Sequence, residues 1–270
     1  MSNILAKINN KLDYLLRDRL PRLLINPWES FRNPYPRKSV EQVNDGWSVV
    51  IITSGADLAM LEQVIASIER ELQNSPVEII LVAPPDFELN QSFNVPIKYY
   101  GYRDSKFLPA LITRKKNIGV SLAQYDKVVV CHDYLLFAPG WKTAWESFGS
   151  DFEVATNRVL RQDGSRLLDW TVCDYPDLGF ALLPYDASAN QHQYISGTYF
   201  VVKRNFYLAN PLKDGLRWGE GEDIEWSRRI RAKTTFKFNQ AALVTCAKVK
   251  EPDPKVWLEN TLALAKHFKS

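Results

Sequence analysis

The 270-residue sequence is poor in cysteine, and Cys131, Cys173 and Cys246 are its only three. An odd number without CxxC-type spacing gives neither a disulfide framework nor a zinc cluster. It fits thiols kept reduced in or near a core. The sequence also lacks an apolar run of the roughly 18 residues that a membrane-spanning helix needs. Its first residues show no continuous apolar segment and no small-residue cleavage site, so no secretory signal is expected and a cytoplasmic setting is. Charge of one sign is scarce. Thirty-four Lys and Arg stand against 31 Asp and Glu, a net +3, which is too little to argue for a nucleic-acid partner. There is no internal repeat and no low-complexity segment. With 46% hydrophobic and 24% charged residues, the composition excludes a disordered, collagen-like or coiled-coil chain. An α/β domain of this length buries about three quarters of its unfolded surface and needs no staple.

What is present is unevenly spread. Residues 1–40 hold eight basic and three acidic residues, a net +5, so the rest of the chain sums to −2. Leu5, Ile8, Leu12, Leu15, Leu16 and Leu20 recur at helical spacing, with Lys7, Lys11, Arg17 and Arg19 mostly between them. Pro21 should end or kink that helix. The following NPWESFRNPYPRK reads as an extended connector. Residues 1–45 therefore form an arm. Its helix over 1–24 suits a peripheral contact with an anionic membrane surface. Packing on the main domain, or on a second copy in a homodimer, explains the same stripe.

From Trp47 the pattern changes. Ser48–Thr53 is a β-branched run typical of a strand buried on both faces. Ser54 to Asp57 turns, and 58–73 reads as a helix with Leu58, Leu61, Val64, Ile65, Ile68 and Leu72 on one face. Val77–Val82, Pro96–Tyr100 and Lys127–Cys131 read as further strands, and 108–123 as a helix. This alternation predicts a doubly wound, mostly parallel α/β sheet over 46–250. Its ligands should lie outside the carboxyl ends of the strands, where the loops at 53–57, 83–86 and 131–134 meet. The half at 134–250 is less regular and rich in aromatics; the tail, 251–270, carries a short amphipathic helix at 255–268.

Three clusters could carry chemistry. In the first, the apolar strand Val128–Cys131 runs into His132-Asp133-Tyr134, with Pro139-Gly140-Trp141 beyond. Asp133 at a strand end could hold Mg2+ or Mn2+ against a diphosphate, with His132 beside it. It could equally cap the next helix. The second cluster is Gly219 to Arg229, where four carboxylates crowd within six residues behind two glycines. On a helix starting near Glu222, Glu222 shares a face with Trp226 and Asp223 with Ser227. Such crowding in a crevice suits a general base, although acids in the first turn and arginines in the last also make an ordinary capped helix. The third is Arg114-Lys115-Lys116-Asn117-Ile118-Gly119, which could neutralise a diphosphate or form a solvated helix face.

The order of these segments resembles a known family. Ser48–Thr53, Val77–Val82, Lys116-Asn-Ile-Gly, Val128–Asp133 with Pro139-Gly-Trp, Gln193–Lys203 and Gly221-Glu-Asp-Ile-Glu-Trp together look like a GT-A-fold glycosyltransferase of the family 2 type. The resemblance covers roughly residues 46–250. It implies a three-layer, Rossmann-like α/β/α sandwich with a nucleotide-sugar half at 46–133 and an acceptor half at 134–250. It further implies a nucleotide-sugar donor, a Mn2+ or Mg2+ ion, and a saccharide or lipid-linked acceptor, in polysaccharide synthesis.

Carried over residue by residue, Asp133 takes the place of the metal-binding Asp of the family's DxD motif. Asp223 takes that of the base, preceded by Glu222. Thr53, Ser54, Arg114, Lys115, Asn117, His132 and Asp133 fall on the donor side. Tyr194, Ser196, Trp218 and Glu220 fall on the acceptor side. Two places depart from the pattern: Cys131 stands at the first DxD acid, and Ala83-Pro84-Pro85 stands where an acid near the nucleotide base is frequent. The expected reaction is inverting sugar transfer to a hydroxyl. A nucleotidyltransferase on a related sheet, and a catalytically silent sugar-binding or scaffold protein, are the alternatives.

Overall fold

The computed structural model describes residues 27–36, 41–104, 111–216, 219–249 and 255–267. The amphipathic stripe of 1–24 and Trp218 lie outside the described residues. Strand β1 (Val43–Ile52) leads to helix α1 (Leu58–Leu72), β2 (Val77–Ala83), β3 (Ile97–Gly101), α2 (Ile112–Leu122) and β4 (Tyr125–His132). Then follow β5 (Leu135–Phe137), α3 (Trp141–Phe148), β6 (Val154–Arg161), β7 (Thr171–Tyr175), β8 (Gly179–Leu182), β9 (Gln193–Tyr194) and β10 (Tyr199–Lys203). Helices α4 (Arg204–Ala209) and α5 (Glu222–Ile230), strand β11 (Lys237–Cys246) and helix α6 (Lys255–His267) complete the order.

The main sheet runs β3-β2-β1-β4-β10-β6-β11-β5, and β8-β7-β9 form a second, small sheet. Strands β1 to β4 pair in parallel, β10 is antiparallel to both β4 and β6, and β11 is parallel to β6. The doubly wound plan therefore holds for the first half. The second half inserts reversed strands where the sequence reads as irregular.

Local chemistry explains the elements. The Asp57 side chain accepts the Met60 amide at 3.0 Å and caps α1. Of the apolar stripe of the sequence, Leu61, Val64, Ile65, Ile68 and Leu72 are buried, while Leu58 at the helix start is only half-buried. Burying each is worth about 1.5–3 kcal/mol. Because β1 is covered on both faces, Val49 and Ile51 join a core with α1 and α3, while Val50 and Ile52 join one with α2 and α5. Gly119 lets α2 lie against the sheet: a Cβ there would sit 2.3 Å from Val50 Cγ1.

The connector is not wholly extended. Residues 27–32 are helical, with Pro27 in the first turn, where its missing N–H costs nothing. The segment is fastened to the sheet domain. The Asn33 side chain donates to the Arg103 carbonyl at 3.0 Å and accepts the Arg103 amide at 2.8 Å. Tyr35 Oη donates to Asp214 at 2.8 Å. At the other end, Asn260 of α6 donates to the Leu178 carbonyl at 2.6 Å, and Thr261 accepts the Leu182 amide at 3.0 Å. Among the described residues no helix is long and apolar enough to cross a membrane.

Candidate active site

Parallel pairing in register, Ile52 with His132, brings the ends of β1 and β4 together. The residues just past those ends meet: the Thr53 hydroxyl donates to Asp133 Oδ2 and accepts the Gly55 amide at 2.9 Å. Ser54 lies in the same turn. Burial pushes the Asp133 carboxyl above its usual range, and the Thr53 bond opposes that shift. Cys131 is fully buried in the α1-side core. Burial holds its thiol well above the ordinary range, so it stays protonated and offers no thiolate.

The second wall is α5. Gly221, at φ 70°, makes the left-handed turn before it. The Asp223 carboxylate accepts the Gly197 amide at 2.9 Å, and Ser227 Oγ accepts the Ile195 amide at 2.9 Å. The shared face expected from their spacing thus grips one segment. That segment also reaches the strand end, because the Thr198 carbonyl accepts the His132 amide at 3.2 Å. The 196–198 turn therefore links the strand end bearing Asp133 to the helix start bearing Asp223.

Glu222 behaves differently from its neighbour. It is buried, and Lys116 Nζ lies 3.3 Å from its Oε1 and 2.8 Å from the Gly197 carbonyl. Burial raises the Glu222 carboxyl, while the Lys116 charge lowers it. Gly197 fits only because it has no side chain: a Cβ would lie 2.7 Å from Glu222 Oε1 and 3.0 Å from Lys116 Nζ. Sequence reading missed Gly197, since a lone glycine in QYISGTYF carries no signal for a contact made with residues on other elements.

The basic cluster is neither a solvated face nor an open diphosphate clamp, because its side chains are buried and engaged within the fold. Arg114 donates to Asp214 Oδ2 at 2.8 Å and to the Asn33 carbonyl at 2.7 Å. Lys115 Nζ bonds Asp104 Oδ2 at 2.7 Å and lies 3.4 Å from the Thr53 carbonyl. Asn117 donates to the Leu212 carbonyl and to Asp214, both at 2.8 Å, and accepts the Tyr207 hydroxyl at 2.8 Å.

On the acceptor side, Tyr194 and Ser196 are 3% and 6% exposed, so their side chains belong to the packing. Glu220 lies in the turn ahead of α5. Trp141, Trp145, Trp170 and Trp226 are buried rather than a sugar-facing wall. Each indole N–H has a partner inside: Tyr199 Oη at 3.1 Å, Asn157 Oδ1 at 3.3 Å, the Ala187 carbonyl at 3.1 Å and the Asn210 carbonyl at 2.7 Å, respectively.

Among the described residues no group of three or more His, Cys, Asp and Glu side chains converges as a metal cage. Asp133, past the end of β4, is a carboxylate that could hold a divalent ion.

No protein-family model matches the chain. No curated protein sequence matches it. Its backbone is similar to a crystal structure of GalNAc-T7 with UDP, GalNAc and Mn2+, at a TM-score of 0.56 and 16% identity, over 86% of this chain and 48% of that one. It is similar to S. aureus TarS 1–349 in complex with UDP-GlcNAc at 0.52 and 10% identity, over 77% and 60%. A further S. aureus TarS structure matches at 0.51 and 11% identity, over 82% and 39%. The chain thus spans about half the length of the first of these. The sheet order and these likenesses define the class: the chain has the GT-A fold.

Proposed function

We propose that the protein is a glycosyltransferase that moves a sugar from a nucleoside diphosphate sugar to a hydroxyl, with Asp223 as base. The observation that carries the reading is the pair of carboxylates, Asp133 and Asp223, at the two ends of the 196–198 turn on the carboxyl edge of the sheet. In a GT-A fold this is the edge where ligands are expected. UDP or UDP-GlcNAc in the similar structures supports a nucleotide-sugar donor. Asp223 would take the proton as the acceptor oxygen attacks the anomeric carbon. The bond from that carbon to the diphosphate oxygen breaks, and the nucleoside diphosphate leaves. One such displacement inverts the anomeric centre. Glu222, paired with Lys116, positions the start of α5 rather than moving a proton. A bound divalent ion would neutralise charge on the diphosphate, and Asp133 is the carboxylate that would hold it.

A saccharide or lipid-linked hydroxyl remains the proposed acceptor. The arm at 1–24 remains a proposed contact with membrane or with a second copy.

The test is release of free nucleotide from a panel of nucleotide sugars with mixed saccharide acceptors. Asp223→Asn keeps size and loses the proton acceptor. Turnover should fall by on the order of 10²–10⁴ with donor affinity nearly intact. Near wild-type turnover in Asp223→Asn, with Glu225→Gln inactive, moves the base elsewhere. Release of pyrophosphate instead of nucleotide would make the protein a nucleotidyltransferase.

A further inference from the structure

The short helix over 27–32 is turned inside out. A helix on a protein surface ordinarily buries its apolar face and shows its polar one. Here Glu29 and Asn33, four positions apart, are 2% and 0% exposed, while Trp28 and Phe31 are 56% and 79% exposed. The two rings stack on each other with centroids 6.2 Å apart.

The polar face is fastened as well as covered. Asn33 Nδ2 donates to Glu29 Oε2 at 3.1 Å, and the Asn33 carbonyl accepts Arg114 at 2.7 Å. Arg32 donates to the Asp104 carbonyl at 3.3 Å, and Tyr100 Oη to the Pro34 carbonyl at 2.7 Å. With the two bonds between Asn33 and Arg103, these hold the segment just past the end of β3, on the carboxyl edge of the sheet. The sheet domain thus holds the aromatic pair outward at the edge that carries the crevice.

Two rings are too little for a stable protein partner. They can cover roughly 300–500 Å², against about 800 Å² a side in a standard protein interface. A lipid surface needs no such area, because aromatic rings insert singly at the headgroup boundary. Charge agrees. Residues 1–40 carry a net +5 while the rest of the chain sums to −2, and anionic headgroups attract such a segment.

We propose that Trp28 and Phe31 are a lipid-inserting pair that seats the protein on an anionic membrane surface. The pair holds the carboxyl edge of the sheet close to the lipid. This rests on the membrane reading of the arm at 1–24 and is independent of the sugar-transfer chemistry.

The test is sedimentation of the full chain with vesicles of phosphatidylcholine alone, and of equal parts phosphatidylcholine and phosphatidylglycerol. Wild type is compared with a polar double variant, Trp28→Ser with Phe31→Ser, and an apolar one, Trp28→Phe with Phe31→Leu. Wild type should bind the mixed vesicles more tightly than the neutral ones. The polar variant should weaken binding to mixed vesicles by about tenfold or more, as loss of a buried ring does. The apolar variant should keep most of it. Both should melt with wild type, because the rings are exposed. Equal binding by wild type and the polar variant overturns the proposal and leaves the arm as the membrane contact. No binding by wild type overturns both. A lower melting temperature in the polar variant would mean that the rings pack within the chain. A wild-type dimer that the polar variant dissociates in lipid-free ultracentrifugation would make this face a contact between copies. Either result overturns the proposal, while nucleotide release in solution tests the transferase reading separately.

Discussion

Two sides of the crevice, helix α2 and the strand ends, use charge in opposite ways. On the α2 wall, Arg114, Lys115, Lys116 and Asn117 are buried, and their polar atoms are tied to carboxylates, amides and carbonyls of the fold. On the strand-end wall, Asp133 sits at the turn after β4 and accepts the Thr53 hydroxyl. A buried ion pair costs so much desolvation that neither partner can be lent to a substrate without destabilising the protein. A carboxylate at a strand end keeps part of its hydration and can exchange that water for a cation. Density of charge in a sequence is thus a poor guide to where the chemistry lies. The densest basic run here is structural.

This contrast predicts that changes on the α2 wall lower stability, whereas changes on the strand-end wall lower binding. The largest effect is expected from Lys116→Met, which leaves the Glu222 carboxylate and the Gly197 carbonyl without their cation. Stability in urea should fall by about 3–5 kcal/mol. A fully stable Lys116→Met protein that has lost nucleotide affinity would break the contrast, since it would make Lys116 a ligand-binding residue.

An intermediate effect concerns Asp174, on the far side of α5. There Arg231, Arg228 and His192 surround it at 2.9, 3.1 and 3.3 Å. Its hydrogen bonds to Arg231 act first, and its carboxyl is pulled down to about 2. A carboxyl depressed in the folded state stabilises above its unfolded value of about 4 and loses that contribution as pH falls toward 2. After allowance for its partial exposure the contribution is about 1 kcal/mol. Chemical denaturation between pH 2 and 5 should show a shallower acid slope for Asp174→Asn, and high salt should shrink the difference. An unchanged slope would mean that this surface cluster contributes nothing.

The smallest effect carries the sharpest sign. Burial disfavours the Asp133 charge, so Asp133→Asn removes a cost while keeping an acceptor for Thr53. Its stability should rise slightly, by no more than about 1 kcal/mol, with a correspondingly higher melting temperature, while metal-dependent nucleotide affinity falls. A lower melting temperature would put Asp133 with the structural charges of α2.

Legibility followed the range of the interactions. The stripe of α1, the β-branched runs of β1, β2 and β4, and the helix at 255–267 were readable because neighbours within a few positions set their periodicity. The reversed strand β10 lies in the half that the sequence reads as irregular, since its direction depends on the crossovers before it. Asp133 and Asp223 stood out through motif and spacing. Gly197, Asp104 and Asp214 did not, because each acts on a residue far from it in sequence.

By itself the sequence determined the layered α/β plan and singled out Asp133 and Asp223 as candidates. Tertiary structure alone decided which charges are free to meet a ligand. Lys116 is 106 positions from Glu222, and Arg114 is 100 from Asp214. Pairs so distant leave no mark on local composition. They form only when α2, α5 and the loops between them close over the same desolvated space, and there an unpaired charge would cost several kcal/mol.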